Sequence, residues 1–347
     1  MRFIKWGNYE GKLLLSHVKS NKHNKYQPAT TMAPAMTADI RPQAAEADKP
    51  LILISDPARS HRKFLHSLRK GMSSKAATWM SLCLLKYDCA KPAVSPPSTA
   101  FFYGSPVPNV ALSKFERVVV EAENIDDLGD LRIAGSDVFA YVSVGEAEGW
   151  RATARALPKE MFLGDNAAWQ SRIANLTQPN WRRYLIEHRM AVLWALGYTG
   201  FFLDTLDSYQ LVAKSRAEKR AQSKALVEII RAMHQRFPGV KLLLNRGFEV
   251  LPQIGQLAVG LVAESLFQSW NPMTQNYASV SDNERRWLLT HLNRAHRRYD
   301  LPITVIDYVP ADKPELAQET ARRITALGFA SWVATPGLDM LAAGVEP

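Results

Sequence analysis

Cysteine is almost absent: the chain of 347 residues has two, Cys83 and Cys89. Their spacing matches no zinc or redox motif, and everything after residue 89 lacks cysteine, which excludes a structural zinc site. Nor is there an apolar run near the about 18 residues that a membrane span needs. A Gly-x-Ser-x-Gly elbow is missing too. His188, His234, His291 and His296 all fall in stretches of helical period rather than at strand ends, so a Ser-His-Asp hydrolase is disfavoured. No short acidic cluster gathers the oxygen ligands of a divalent cation. The sequence therefore implies neither metal nor cofactor.

Positive charge is confined to one end. The formal charge of +10 arises within residues 1–95, which carry 16 Lys+Arg against 6 Asp+Glu, leaving 27 of each sign in the rest. A nucleic-acid partner wants basic residues clustered on a folded face, and that reading is disfavoured. Residues 1–97 read as a basic extension with little packed structure, since their short apolar runs keep no period of 2 or 3.6. Within them Lys70 and Lys75 precede the apolar run from Ala76 to Leu85, and small residues follow at Ala90 to Ala93. Basic, then apolar, then small is the order of an export signal. If translation starts near Met72, the chain is exported, to the periplasm or beyond, and begins near Pro96-Pro97; otherwise it is cytoplasmic and the run, cut short by Lys86, is a chance feature of a basic tail.

From residue 98 onward the sequence turns rhythmic. Strand candidates are Ala100 to Tyr103, Arg117 to Glu121, Val138 to Val144, Gly200 to Asp204, Lys241 to Asn245, Leu261 to Glu264, Ile303 to Asp307 and Phe329 to Ala334. Helical periodicity runs through Asn180 to Leu196, Leu211 to Phe237, Asp282 to Tyr299 and Pro314 to Leu327. A doubly wound sheet would show a glycine-rich phosphate turn after its first strand, but Gly104-Ser105-Pro106-Val107-Pro108 stands there. Eight strand candidates and that absence predict an α/β fold, a (β/α)8 TIM barrel over 98–347, slightly irregular because the first two connections are short and no helix follows the eighth strand.

Barrel enzymes carry their chemistry where strands end. The residues at those ends are Tyr103, Glu121, Ser143 with Glu146, Asp204 with Asp207, Asn245 with Arg246, Glu264, and Asp307 with Tyr308. Carboxylates set directly against apolar strands need partners or a function. Asp204 closes Gly200-Phe201-Phe202-Leu203, and Glu264 interrupts Leu261 to Phe267. Helix capping is the competing account of Asp207, and a salt bridge to Arg246 that of Glu264. With strands four and six taken to lie on opposite sides of the mouth, Asp204 and Glu264 could reach across one sugar ring as an acid/base pair. Trp270 and Trp332, after or within strands six and eight, are candidates to stack on a sugar. Trp169, Trp181, Trp194 and Trp287 read as helix residues that pack. A carbohydrate-binding barrel without chemistry, or an α-glycosidase acting on another polysaccharide, remain the competing readings.

Tyr141-Val142-Ser143-Val144-Gly145-Glu146, Asn166-Ala167-Ala168-Trp169, the block from Gly197 to Asp207, and Ala263-Glu264-Ser265-Leu266 together resemble the endo-α-1,4-polygalactosaminidase family of barrel glycoside hydrolases. The resemblance covers essentially residues 100 to 340. It implies retaining, endo-acting cleavage of an α-1,4-linked galactosamine/N-acetylgalactosamine exopolysaccharide of the kind found in biofilms. It also implies Asp204 as nucleophile and Glu264 as acid/base, with Tyr103, Glu146, Asn245, Asp307 and Tyr308 along the substrate groove. An acidic groove suits a polymer whose deacetylated units are cationic. One departure stands out: Asn175 occupies a place where the family usually has Asp, which bears on a neighbouring loop rather than on the pair. Exopolysaccharide-system members continue into a deacetylase domain, and the end of this chain at Pro347 leads to the expectation of a free-standing hydrolase.

Overall fold

A computed structural model describes residues 95–125 and 127–342. The basic extension up to residue 94, with its signal-like segment, lies outside the described residues. Eight strands form one parallel sheet in chain order. They are β1 (Thr99–Phe102), β2 (Arg117–Val120), β3 (Asp137–Ser143), β4 (Gly200–Asp204), β5 (Lys241–Asn245), β6 (Ala258–Glu264), β7 (Ile303–Tyr308) and β8 (Ala330–Ala334). The sheet curls into the (β/α)8 barrel. Val118 to Val120, Phe201 to Leu203 and Leu242 to Leu244 are buried throughout. A parallel sheet covered on both faces needs such unbroken apolar runs. Successive side chains still part company: Phe201 packs outward on Trp194 and Phe237, whereas Phe202 meets Phe101 and Tyr141.

No backbone ladder joins β8 to β1 among the described residues. The seam is closed by other means. Tyr103 N–H donates to Leu338 O at 2.7 Å, and the Phe101 and Trp332 rings meet at 6.4 Å. Thr304 Oγ1 also reaches Thr99 Oγ1 at 3.5 Å.

Helix boundaries follow the capping chemistry. Ser281 and Glu284 form a reciprocal capping box that starts the helix Asp282–Tyr299, and Asp300 ends it in the left-handed region. A second box, Ser215 with Glu218, starts Arg216–Arg236. The expected start at Leu211 is therefore too early by five residues, because Ser208–Leu211 is a separate 3-10 turn. The expected helix over 180–196 comprises α-helical Pro179–Arg183, π-helical Tyr184–Met190 and α-helical Ala191–Ala195.

Two small antiparallel sheets sit at the strand C-termini, and the apolar periodicity gave no sign of either. One, inserted after β3, comprises Glu146–Glu148, Phe162–Asn166 and Ser171–Ala174; the other, after β6, pairs Gln268–Asn271 with Asn276–Ser279. Trp169 consequently lies in an exposed turn of the first insert and not on a packed helix. No helix of the described residues is long and apolar enough to cross a membrane.

Candidate active site

β4, β5 and β6 are neighbours, so only one strand separates Asp204 from Glu264, and the opposite-side placement expected of strands four and six does not hold. The residue ending that middle strand is Asn245. Its Nδ2 donates to Asp204 Oδ1 at 2.7 Å and to Glu264 Oε1 at 2.6 Å. Two oxygens bonded to one nitrogen stand no farther apart than the sum of those lengths, about 5.3 Å, within the spacing of a retaining pair and short of the about 6.5–9.5 Å of an inverting one. The outer oxygens are matched symmetrically. Tyr141 O–H donates to Asp204 Oδ2 at 2.9 Å, and Tyr308 O–H donates to Glu264 Oε2 at 2.7 Å. Tyr103 leans on Tyr141 with ring centroids 5.2 Å apart.

Electrostatics here follow from crowding acids in a buried space. Burial, then the charge of Glu264, pushes the Asp204 carboxyl up to about 7, against the hydrogen bonds from Thr205, Asn245 and Tyr141. Near neutral pH the Asp204 carboxyl is therefore partly protonated. Burial and these carboxylates likewise raise the phenols of Tyr103, Tyr141 and Tyr308, which stay protonated as donors.

The backbone behind each of the three polar residues turns left-handed at once: Thr205 at φ 60°, Arg246 at φ 54° and Ser265 at φ 62°. For a β-branched threonine this conformation is a strained outlier that its surroundings must impose. Thr205 Oγ1 accepts from Gly145 N–H at 2.9 Å, lies 2.9 Å from Ser143 Oγ and donates to Asp204 O at 2.7 Å. Gly145 is required there, since a Cβ would come within 2.1 Å of Thr205 O. Arg246 Nη2 donates to the backbone oxygen of Glu264 at 2.7 Å.

The remaining expected site residues divide. Ser143 lies beneath Thr205 and supports it, also donating to Glu146 O. Glu146 is buried in the first insert, bonded to Ser171 Oγ and to Asn166 Nδ2. Asp207 caps no helix by a side-chain bond; burial raises its carboxyl, opposed by the Arg246 charge. Glu121 is taken up by Arg151 at 2.5 Å, whose guanidinium also binds Glu123 and Glu148. Trp270 is half-buried in the second insert against Tyr277, ring centroids 4.7 Å apart.

Two expectations are corrected. Asp307 does not line the groove: adjacent strand residues face opposite ways, and Tyr308 takes the inward direction. The Asp307 carboxylate instead accepts the backbone N–H groups of Leu266, Phe267 and Gln268, fixing the segment behind Glu264. Trp332 is fully buried against Phe101 and Phe115 and has no face for a sugar. Asn175 supports its loop as an uncharged acceptor, taking Thr177 Oγ1 at 2.7 Å and Gln222 Nε2 at 2.8 Å. The residue missed from the sequence is Tyr141. It stands within β3 rather than at its end, and only its shared face with Ser143 could have marked it.

A barrel whose mouth gathers two acids this closely has the architecture of a glycoside hydrolase. The chain belongs to glycoside-hydrolase family GH114, whose profile matches residues 87–345. Among solved structures it is similar to the glycoside hydrolase domain of PelA from Pseudomonas aeruginosa, 38% identical over 72% of this chain and 100% of that domain, TM-score 0.66. It shares its fold with Aspergillus fumigatus Ega3, solved in complex with galactosamine, at 17% identity over 72% of this chain and 94% of Ega3, TM-score 0.52. An uncharacterized protein of Methanocaldococcus jannaschii is 24% identical over 166 residues, 43% of this chain and 46% of that protein. The chain thus matches about half the length of that curated relative.

Proposed function

We propose that the protein is an endo-acting hydrolase of α-1,4-linked galactosamine/N-acetylgalactosamine exopolysaccharide that retains anomeric configuration. The observation that carries this reading is the single Asn245 nitrogen bonded to both Asp204 and Glu264. The step needs the proton that the free site holds at Asp204 to lie on Glu264, which then donates to the glycosidic oxygen as Asp204 attacks the anomeric carbon, so the C–O bond breaks as the glycosyl-enzyme ester forms. Glu264 then takes a proton from water, which displaces Asp204 and restores both residues. Two inversions leave the configuration unchanged. Asn245 steadies both acids through each step, and Tyr141 and Tyr308 hold their outer oxygens. The assignment of nucleophile follows the family resemblance, since the hydrogen bonding of the two acids is symmetric.

The kinship with the PelA domain and the galactosamine bound to Ega3 support the substrate class. So does the pair of acids at the mouth, Asp204 and Glu264, which favours cationic amino sugars. A substrate outside the cell fits export from a start near Met72. The test is reducing-end release from an α-1,4-galactosamine-rich polymer, with the product anomer followed by NMR, for the wild type, Asp204→Asn and Glu264→Gln. Initial release of the α-anomer, lost in both folded variants, is expected. An initial β-anomer would overturn retention, and wild-type inactivity would favour a polysaccharide-binding barrel.

A further inference from the structure

Two flat side chains at the rim have no part in the chemistry above. Trp150 is 54% exposed and Trp169 56%, the two tryptophans among the large exposed apolar side chains of the described residues. Both belong to the tip of the insert that follows β3. In that insert Glu146 pairs with Ile173 and Glu148 with Ser171. One step beyond, Gly149 lies against Gln170, and the turns that hold Trp150 and Trp169 follow on the two sides. The chains do remain adjacent that far, because a Cβ on Gly149 would lie 2.9 Å from Gln170 O.

The tip is held firmly for an exposed structure. The Arg151 guanidinium lies 4.0 Å from the centroid of the Trp150 ring, and Arg151 is itself buried and bound by Glu121, Glu123 and Glu148. At the root of the insert, Val144 N–H donates to Asp204 O at 3.0 Å, and the Trp181 indole N–H donates to Val144 O. The platform is thus continuous with the strand that carries the proposed nucleophile.

The surroundings of the two rings decide what they could hold. A protein partner would want a contiguous apolar patch, whereas the Arg151 guanidinium lies over the Trp150 ring and Arg155 donates to the neighbouring Gly149 O. An amphipathic ring with one C–H face and a polar rim fits better. A galactosamine unit has its axial 4-oxygen on one face and presents H3, H4 and H5 together on the other, and its ammonium group adds a cation–π attraction.

We propose that Trp150 and Trp169 form a distal sugar-binding platform for the same polysaccharide chain, away from the bond being cleaved, which makes the enzyme favour long chains over short ones. This rests on the function proposed above, and the experiment separates the two. Full-length wild type, Trp150→Ala/Trp169→Ala and Trp150→Phe/Trp169→Phe are compared on a partly deacetylated α-1,4-galactosamine polymer and on short oligosaccharides of that linkage. In the alanine variant the long-to-short ratio of kcat/KM is expected to fall about fivefold or more through KM on the polymer, with recovery in the phenylalanine variant. An unchanged ratio in the folded alanine variant would overturn the platform. Retention on immobilised polymer is measured in parallel with Asp204→Asn present. Wild-type inactivity with retention that still depends on the two tryptophans would uphold the platform and overturn the hydrolase reading; retention indifferent to them would overturn the platform.

Discussion

Asp204→Asn should leave the protein inactive yet more stable than wild type at pH 8. The carboxyl is raised from 3.8 to about 7 by burial and by Glu264. The folded state therefore binds this proton more tightly than the unfolded chain does. As pH rises from about 4 to about 7 the unfolded chain has released the proton while the native state retains it, so stability falls across that window and levels off above it. At about 1.4 kcal/mol per pKa unit the loss has a ceiling of about 4 kcal/mol. An asparagine cannot ionise, and the variant loses this slope. Its amide oxygen can still accept from Asn245. For a domain of this size each kcal/mol moves Tm by roughly 2–4 °C. The assay is thermal unfolding of both proteins by circular dichroism between pH 4.5 and 8. Asp207 and Asp307, also raised by burial, contribute equally to each and cancel in the difference. The two Tm curves should diverge with rising pH, with the variant higher at pH 8. Parallel curves, or a variant less stable at pH 8, would refute the account of a strained acidic pair.

Asn245→Leu removes the donor shared by the two acids, so their repulsion grows. The pair's upper ionisation should move to higher pH, with kcat/KM reduced about 100-fold and its pH profile displaced upward; a smaller activity on an unmoved profile would deny Asn245 this role. Gly145→Ala places a Cβ 2.1 Å from Thr205 O. It should cost about 2–4 kcal/mol in urea unfolding and lower kcat more than it raises KM, because Thr205 orients Asp204; unchanged stability would contradict the close approach.

The barrel was legible because parallel strands buried on both sides read as apolar runs, and all eight candidates overlap observed strands. The helix Asp282–Tyr299 was equally plain from its period, and its serine and glutamate cap sits where the sequence shows them. The inserts were hidden by brevity: Gln268–Asn271 and Asn276–Ser279 are four residues each and lack apolar alternation. Asp204, Asn245 and Glu264 could be picked out as polar residues set against apolar runs. Tyr141 could not, since tyrosine is an ordinary strand residue. Asp307 was misread because a strand end offers two adjacent residues of opposite facing, and parity is decided by what the neighbouring loop needs: here, an acceptor for three N–H groups.

The left-handed turns after Asp204, Asn245 and Glu264 have a consequence for how this site can change. Each strand stops at its functional residue, so the height of the three polar groups above the barrel floor is set by strand length and not by side-chain choice. Inserting one residue within β5 would turn Asn245 to the outside and bring Leu244 to face the acids, a change that no exchange of side chains at 245 could repair. Substitutions at the rim can drift freely and alter what the groove accepts. A designer borrowing this constellation would have to transfer three strand ends together.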